Sequence, residues 1–189
     1  MTEALLFLGD LDAEYIGEAA AHATHYEPVP VDDFVELMAR LPEDAIRRST
    51  FVDVGSGLGR AVFLAMGYPF KRIVGIEVSA ALNETAKENL EKLRGIDVAC
   101  ADVRFVNEDA RAFDYPSGDL VVFLFNPFDA AALRATLQRI GARAGAGETR
   151  LIYHTPEHRA VPSDFGFVER ADTGQAALFE RTLWAARPT

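Results

Sequence analysis

A glycine-rich turn between an apolar run and an amphipathic segment constrains the fold of this chain more than any other feature. The apolar run is Thr50–Val54, and the turn reads DVGSGLG, with Asp53 two positions before the first glycine. Glycines there let the chain reverse sharply and let backbone N–H groups approach a ligand. The helix predicted from Leu58 to Met66 would direct its positive N-terminal end at the same place. A strand, turn and helix in this order predict the first unit of a parallel α/β sheet.

Short apolar runs alternate with helical patterns from residue 51 to residue 155, which is typical of repeated βαβ units. The expected strands are Thr50–Val54, Arg72–Glu77, Arg104–Asn107, Asp119–Phe125 and Thr149–Tyr153, followed by two strands between Phe165 and Trp184. The last two have no helix between them and must form a hairpin, so one of them runs antiparallel. The predicted fold is therefore α/β: a doubly wound, mostly parallel seven-stranded sheet with a C-terminal antiparallel hairpin strand and helices on both faces.

Helices are predicted at about 11–24 and 31–41, before the sheet begins, and from the N-cap Ser79 to Arg94 after the second strand. We expect one compact domain. Residues 1–45 would form an N-terminal helical lid segment, and residues 46–189 would form the Rossmann-like part.

Composition excludes several classes of protein. The chain has 189 residues and a formal net charge of −10, which disfavours a nucleic-acid partner because the surface would repel phosphates. No run approaches the roughly 20 apolar residues of a membrane span, and Met1–Asp12 is too short and too acidic for a signal peptide. These features predict a cytoplasmic protein without a membrane partner, either a monomer or a weak homodimer. The single cysteine, Cys100, is predicted to be a small buried residue rather than a nucleophile.

Histidines occur as two pairs, His22 with His25 and His154 with His158. Neither pair has a third ligand in sequence, so no metal site is predicted. His154 ends the fifth strand. It is interpreted as a capping or surface residue, and the alternative is an acid or base that lines a substrate pocket.

The spacing of the glycines distinguishes two kinds of nucleotide turn. A dinucleotide fingerprint reads G-x-G-x-x-G, and here Arg60 stands where its third glycine would be. The pattern present, D-x-G-x-G-x-G, resembles the first motif of class I S-adenosylmethionine-dependent methyltransferases. The resemblance implies that the glycines pass under the amino-acid part of the cofactor and that Asp53 helps to hold its amino group. An ordinary tight strand–helix turn is the alternative.

Further residues follow in the order that this family uses. Glu77 ends the second strand, where the resemblance implies a carboxylate that binds both ribose hydroxyls, with Val78 beside it. Asp109 and Ala110 follow the third strand, where the family contacts the adenine, and Glu108 is a competing candidate because the register is uncertain by one residue. The cofactor-binding residues implied by the resemblance are Tyr26, Pro28, Asp53, Gly55, Ser56, Gly57, Gly59, Glu77, Val78, Asp109, Ala110 and Asn126.

Asn126, Pro127 and Phe128 come directly after the fourth strand, at the edge where open α/β sheets bind ligands. They resemble the family's fourth motif. In amide- and amine-methylating relatives, the related N-P-P-[YF] sequence orients the target nitrogen, so these three residues are the candidates for substrate orientation. The second proline is absent here. The alternative interpretation is a helix start, with Pro127 in the first turn and Asp129 nearby, and the two interpretations are compatible.

The segment HYEPVP, before the glycine turn, resembles the Y-x-P-[TS]-P segment of a subset that includes protein-lysine methyltransferases, where it covers the cofactor. Tyr26, Glu27, Pro28 and Pro30 match, and Val29 replaces the hydroxyl residue. A proline-stiffened linker is the alternative.

Together the motifs imply in-line transfer of a methyl group from S-adenosylmethionine, with S-adenosylhomocysteine as the second product. The expected acceptor is an amine nitrogen, on a protein lysine or on a small molecule. Alternatives are an oxygen or carbon acceptor on a small metabolite, a cofactor-binding module without turnover, and aminopropyl transfer on the same sheet. The last would need paired carboxylates after the fourth strand, where only Asp129 is found.

Overall fold

Seven strands alternate with helices along the chain and pair into one sheet. The computed structural model describes residues 29–125, 128–143 and 145–182. The strands are β1 (Thr50–Val54), β2 (Arg72–Glu77), β3 (Val103–Asn107), β4 (Gly118–Phe125), β5 (Ala146–His154), β6 (Val168–Asp172) and β7 (Ala176–Thr182). The α-helices are α1 (Val31–Ala39), α2 (Glu43–Arg48), α3 (Arg60–Ala65), α4 (Ala80–Lys92) and α5 (Ala130–Gly141), and a 3-10 helix spans Val161–Phe165.

The order of strands across the sheet is β3-β2-β1-β4-β5-β7-β6. β1 to β5 pair in parallel, and β7 runs antiparallel to both of its neighbours, β5 and β6. The predicted fold class is therefore confirmed, including the C-terminal hairpin. Strand order reverses between β1 and β4, and the crevice at the carboxyl ends of those two strands is where such sheets bind ligands.

Helices cover both faces of the sheet because its central strands are apolar on both sides. All five residues of β1 are buried. On one face, Phe51 and Phe123 pack with Phe34 of α1 and with residues of α3 and α4. On the other face, α5 buries Leu133, Leu137 and Ile140. Cys100 is buried, as predicted, and burial raises the pKa of its thiol.

The helices of the sequence analysis have different outcomes. The helix predicted at 31–41 is confirmed as α1, and Ser79 caps α4 by accepting a hydrogen bond from the Leu82 amide at 3.4 Å. The helix predicted at 11–24 lies outside the described residues. The division of the chain at residue 45 stays a prediction, although Phe34 of α1 packs into the main core.

α2 was not predicted, and it contains Arg47 and Arg48. The short helix has acidic residues in its first turn and these two arginines in its last, an arrangement that the helix dipole favours. Arg48 extends from its end to the sheet, where its guanidinium lies 2.6 Å from Asp119 Oδ2 and 3.0 Å from Glu148 Oε2. Those partners lie 71 and 100 residues away, so local sequence does not indicate them.

Candidate functional site

The glycine turn leaves the carboxyl end of β1 in a conformation that requires glycine. Gly55, Gly57 and Gly59 all have positive φ, at 78°, 52° and 96°. A side chain at Gly59 would also collide with the core, because a Cβ there would lie 2.7 Å from the Phe105 ring. The turn is therefore fixed by both backbone conformation and close packing.

Hydrogen bonds attach the turn to the end of β2. The amides of Gly55 and Ser56 donate to the Ile76 carbonyl at 2.9 and 3.0 Å. The Gly57 amide donates to Glu77 Oε2 at 2.9 Å. Glu77 thus lies beside the turn, as the sequence analysis expected of a residue at that position.

The Glu77 carboxylate joins the turn to the start of α4. Its second oxygen, Oε1, accepts from the Ser79 amide at 2.8 Å, and the residue is 8% exposed. Backbone amides, rather than a cationic side chain, are its partners in these hydrogen bonds. Each carboxylate oxygen can accept a second bond, so the group retains capacity for a ligand hydroxyl.

Asp53 is a buried carboxyl group inside the central strand. It is 4% exposed, and burial, followed by repulsion from Glu77, raises its pKa to about 8. None of the described residues contributes a cation or a hydrogen bond that opposes this shift. A buried carboxylate of this kind is costly unless a positive charge compensates it, so the site favours a cationic ligand.

The end of β3 lies beside the end of β2. Asn107 donates from its side-chain amide to the carbonyls of Glu77 and Val78, at 2.8 and 2.9 Å. Val78 is an apolar residue that is 72% exposed at this edge. Sequence reasoning missed Asn107, for which the only signal was a polar residue at the end of a strand.

Asp109 and Ala110 follow β3, at the place where an adenine contact was expected. The Asp109 carboxylate accepts from the Arg111 amide and guanidinium Nε, both at 2.9 Å, and these bonds lower its pKa to about 2. Ala110 is buried, and its carbonyl accepts from the Tyr115 hydroxyl at 3.1 Å. Arg111 therefore competes with any ligand for Asp109, which the sequence analysis did not anticipate.

The expected substrate-orienting residues are described only in part. Asn126 and Pro127 lie outside the described residues, and Phe128 is half-buried against the core. Asp129 caps α5, since its Oδ1 accepts from the Ala132 amide at 2.8 Å. A helix therefore starts in this segment, as the alternative interpretation expected, but its first residue is Ala130 and its N-cap is Asp129, so Pro127 is not in its first turn.

The expected covering segment also lies mostly outside the described residues, which begin at residue 29, after Tyr26 and Pro28. The Val29 carbonyl accepts from Arg60 Nε at 2.6 Å, and Arg60 is the first residue of α3. The described end of the covering segment is thus hydrogen-bonded to the first residue after the glycine turn.

His154 is not a surface or capping residue, so that interpretation is wrong. It ends β5 with only 3% of its surface exposed, and Nε2 lies 3.0 Å from Asp33 Oδ2 of α1. Its ring packs edge-on against Phe125, with centroids 4.5 Å apart. A long-range partner in α1 buries this histidine, and local sequence carries no signal of it.

S-adenosylmethionine suits this arrangement of groups. The buried Asp53 carboxyl lacks a compensating cation among the described residues, and the cofactor carries an ammonium group and a sulfonium. The glycine turn leaves room for close approach, Glu77 retains acceptor capacity, and Val78 offers an apolar surface at the same edge. Within the described ranges, no three His, Cys, Asp or Glu residues are placed to hold a metal ion. No helix there is long and apolar enough to span a membrane.

A family profile described as a methyltransferase domain matches residues 51–144, about half of the chain. The match begins in β1 and runs through the glycine turn, Glu77 and Asp109 to the end of α5. No curated protein matches the sequence.

Solved structures share the fold at low sequence identity. A proposed RNA methyltransferase of Pyrococcus horikoshii is 16% identical, with a TM-score of 0.64 over 96% of this chain and 98% of its own. Magnesium protoporphyrin IX methyltransferase of Synechocystis, solved with S-adenosylmethionine bound, is 12% identical, with a TM-score of 0.59 over 95% of this chain and 97% of its own. A proposed methyltransferase of Escherichia coli is 18% identical, with a TM-score of 0.63 over 85% and 90%.

Proposed function

The chain belongs to the class I S-adenosylmethionine-dependent methyltransferases, and from that premise we propose that it methylates an amine nitrogen, on a protein lysine or a small amine. The activity requires the acceptor lone pair to attack the methyl carbon in line with the carbon–sulfur bond. The bonding pair stays on sulfur, which leaves S-adenosylhomocysteine. Positioning supplies much of the rate of such a reaction.

The observation that carries the proposal is the distribution of charge along the chain. Residues 1–39 contain nine Asp and Glu and no Lys or Arg, so they hold nearly all of the net charge of −10. The described end of this acidic stretch lies at the ligand edge, that is, at the carboxyl ends of the parallel strands. Val29 contacts Arg60, which follows the glycine turn, and Asp33 contacts His154, which ends β5. A negative approach to a site concentrates cations there, and most amines are cations in water.

Residues at three strand ends would hold the cofactor. Asp53 and Glu77 would bind its ammonium group and ribose, and Asp109 would contact its adenine. Asn126 and the Pro127 carbonyl are proposed to orient the acceptor nitrogen, with Phe128 beside it. The proposal also places the protein in the cytoplasm, as a monomer or weak homodimer without a nucleic-acid or membrane partner.

Transfer of labelled methyl groups tests the acceptor. A lysine-rich peptide is compared with the same peptide in which every lysine is acetylated, so that length and sequence are matched. We expect label in the first peptide and not in the second, and a lower KM at low salt because the attraction is electrostatic. Equal labelling of both peptides, or labelling only of a neutral hydroxyl compound, would contradict the amine assignment.

Calorimetric titration with S-adenosylmethionine and with NAD tests the cofactor separately from the acceptor. We expect binding of the first and none of the second, because the turn lacks the third glycine of the dinucleotide fingerprint.

A further inference from the structure

A buried histidine and a carboxylate meet at the ligand edge of the sheet. The His154 side chain is 4% exposed and the Asp33 side chain is 33% exposed, with 3.0 Å between Nε2 and Oδ2. Asp33 lies in the first turn of α1, and His154 is the last residue of β5. Two elements that are far apart in sequence are thus joined at one point beside the crevice.

The hydrogen bond fixes which ring nitrogen carries the proton. A carboxylate can only accept hydrogen bonds, so Nε2 carries a proton, and in the neutral ring Nδ1 then presents a lone pair. Nδ1 is buried and has no hydrogen-bond partner among the described residues. A buried acceptor of this kind is costly unless something donates to it, so Nδ1 is an unsatisfied acceptor among the described residues.

Asp33 is the charged group that faces this ring within the described part of the chain. β4 presents the Phe125 ring, and β7 places Ala176 opposite His154 in the sheet register. The Asp33 carboxylate therefore fixes the orientation of the ring through Nε2.

The pair also lies near the place where the acceptor must bind. His154 is opposite Phe125 in the parallel register of β4 and β5, and β1 with its glycine turn is the next strand beyond β4. Two strand spacings separate β5 from β1, which is about 10 Å. The crevice between the ends of β1 and β4 lies within that interval.

We propose that His154 is the general base of the methyl transfer and that Asp33 is its positioning residue, a role that rests on the proposed amine acceptor. The acceptor arrives as an ammonium ion, and Nδ1 takes one proton from it. The freed lone pair then forms the nitrogen–carbon bond while the carbon–sulfur pair moves to sulfur. The methylated ammonium ion leaves, and the imidazolium returns its proton to water.

The variant His154→Gln separates this role from a structural one. Glutamine places an amide where Nε2 lies, so it can still donate to Asp33, but it removes the base at Nδ1. We expect the melting temperature and the dissociation constant for S-adenosylmethionine to stay near those of the unmodified protein. The kcat for the lysine-rich peptide should fall by about 10²- to 10⁴-fold, and added imidazole should partly restore it.

His158→Gln is the matched control, since this half-buried histidine, four positions later, lies away from the Asp33 contact. It should leave kcat unchanged. A purely structural pair predicts the opposite pattern for His154→Gln, with kcat kept within about threefold of the unmodified protein, or lost only together with cofactor affinity and melting temperature. Either result would overturn the assignment.

Nitrogen NMR of the histidine rings gives a readout that does not need the acceptor. The protein with S-adenosylmethionine bound should show His154 protonated at Nε2, and Asp33→Asn should shift its tautomer or its charge. A neutral ring protonated at Nδ1 would overturn the dyad even if the peptide is methylated. If no amine is methylated but the tautomer is as expected, the proposed acceptor fails and the dyad stands.

Discussion

The amino and carboxyl ends of the strands differ in how their charged side chains are paired. Near the amino end, the buried Arg150 side chain lies 2.8 Å from Glu148 and 3.1 Å from Glu180. Arg48 joins the same network through Asp119 and Glu148. Charges at this end are compensated by side chains of the protein itself.

At the carboxyl end, Asp109 is paired with Arg111, but Asp53 and Glu77 have no cationic side chain among their described partners. Asp53 is buried with its pKa raised to about 8, and Glu77 accepts hydrogen bonds from backbone amides. Charge at the amino end stabilises the fold, and charge at the carboxyl end suits a cationic ligand.

The largest effect on stability is expected from removing a cation of the ion-pair network at the amino end of the sheet. Arg150→Ala removes a 5%-exposed guanidinium from between Glu148 and Glu180, which then keep only their contacts with the more exposed Arg48 and Arg170. We expect the free energy of unfolding to fall by about 3 kcal/mol, the low end for a buried pair, because both carboxylates are about a quarter exposed. Chemical denaturation measures this loss, and the affinity of the folded protein for S-adenosylmethionine should not change.

Arg159→Ala is the control for that change, because Arg159 also contacts two carboxylates but on the surface. Its effect on unfolding should be clearly smaller. Equal losses from both variants would show that burial does not distinguish the network at the amino end.

Asp53→Asn tests the other end, and it should change stability and binding in opposite directions. The folded-state pKa of Asp53 is raised above the unfolded value, so between about pH 4 and pH 8 the group takes up a proton on folding and costs more stability as the pH rises. Asparagine removes that cost, and near neutral pH we expect a gain of about 2 kcal/mol in the cofactor-free protein. The affinity for S-adenosylmethionine should fall by roughly 30-fold, or about 2 kcal/mol, because the ammonium group loses its counter-charge.

Thermal denaturation and calorimetric titration measure the two effects of Asp53→Asn. Asp102→Asn is the control, since that carboxylate lies at the amino end of the sheet and is paired with Arg72. If Asp53→Asn lowers the melting temperature and leaves binding intact, Asp53 is a structural residue and the contrast between the two ends is wrong.

Local sequence predicted the parts of the fold that local physics determines. β1 and β2 have the predicted bounds, Thr50–Val54 and Arg72–Glu77, because a glycine turn and an acidic residue mark where each apolar run ends. The six residues of α2 are too few to show a helical period, and Arg48 is fixed by partners in β4 and β5. Pairings of that kind depend on tertiary structure and are invisible to pattern analysis.

The candidate site divides in the same way. Asp53, Glu77 and Asp109 lie at or just after the carboxyl ends of parallel strands, and these ends meet at one edge of the sheet. The sequence predicts this because it shows where each strand ends. The contact of Asp33 with His154 spans 121 residues, and it was not predicted. The roles of Tyr26, Pro28, Asn126 and Pro127 stay predictions, since these residues lie outside the described ranges.

The smallest expected effect, taken over one pH unit, is a pH dependence of cofactor binding, and it tests the carboxyl end without a mutation. Below its pKa of about 8, Asp53 holds a proton in the free protein, and an ammonium group requires the ionised form. Binding should therefore release close to one proton, and the affinity should rise by up to about tenfold for each pH unit, or about 1.4 kcal/mol. The rise should flatten near pH 7.5 to 8, roughly where the cofactor's own α-amino group begins to lose its proton.

Calorimetry in buffers of different ionisation enthalpy counts the released protons directly, and Asp53→Asn should abolish both the release and the slope. A flat profile in the unmodified protein would mean that Asp53 is already ionised before the cofactor arrives. The carboxyl end of the sheet would then be compensated like the amino end, by a group outside the described residues, and the cation preference would need another origin.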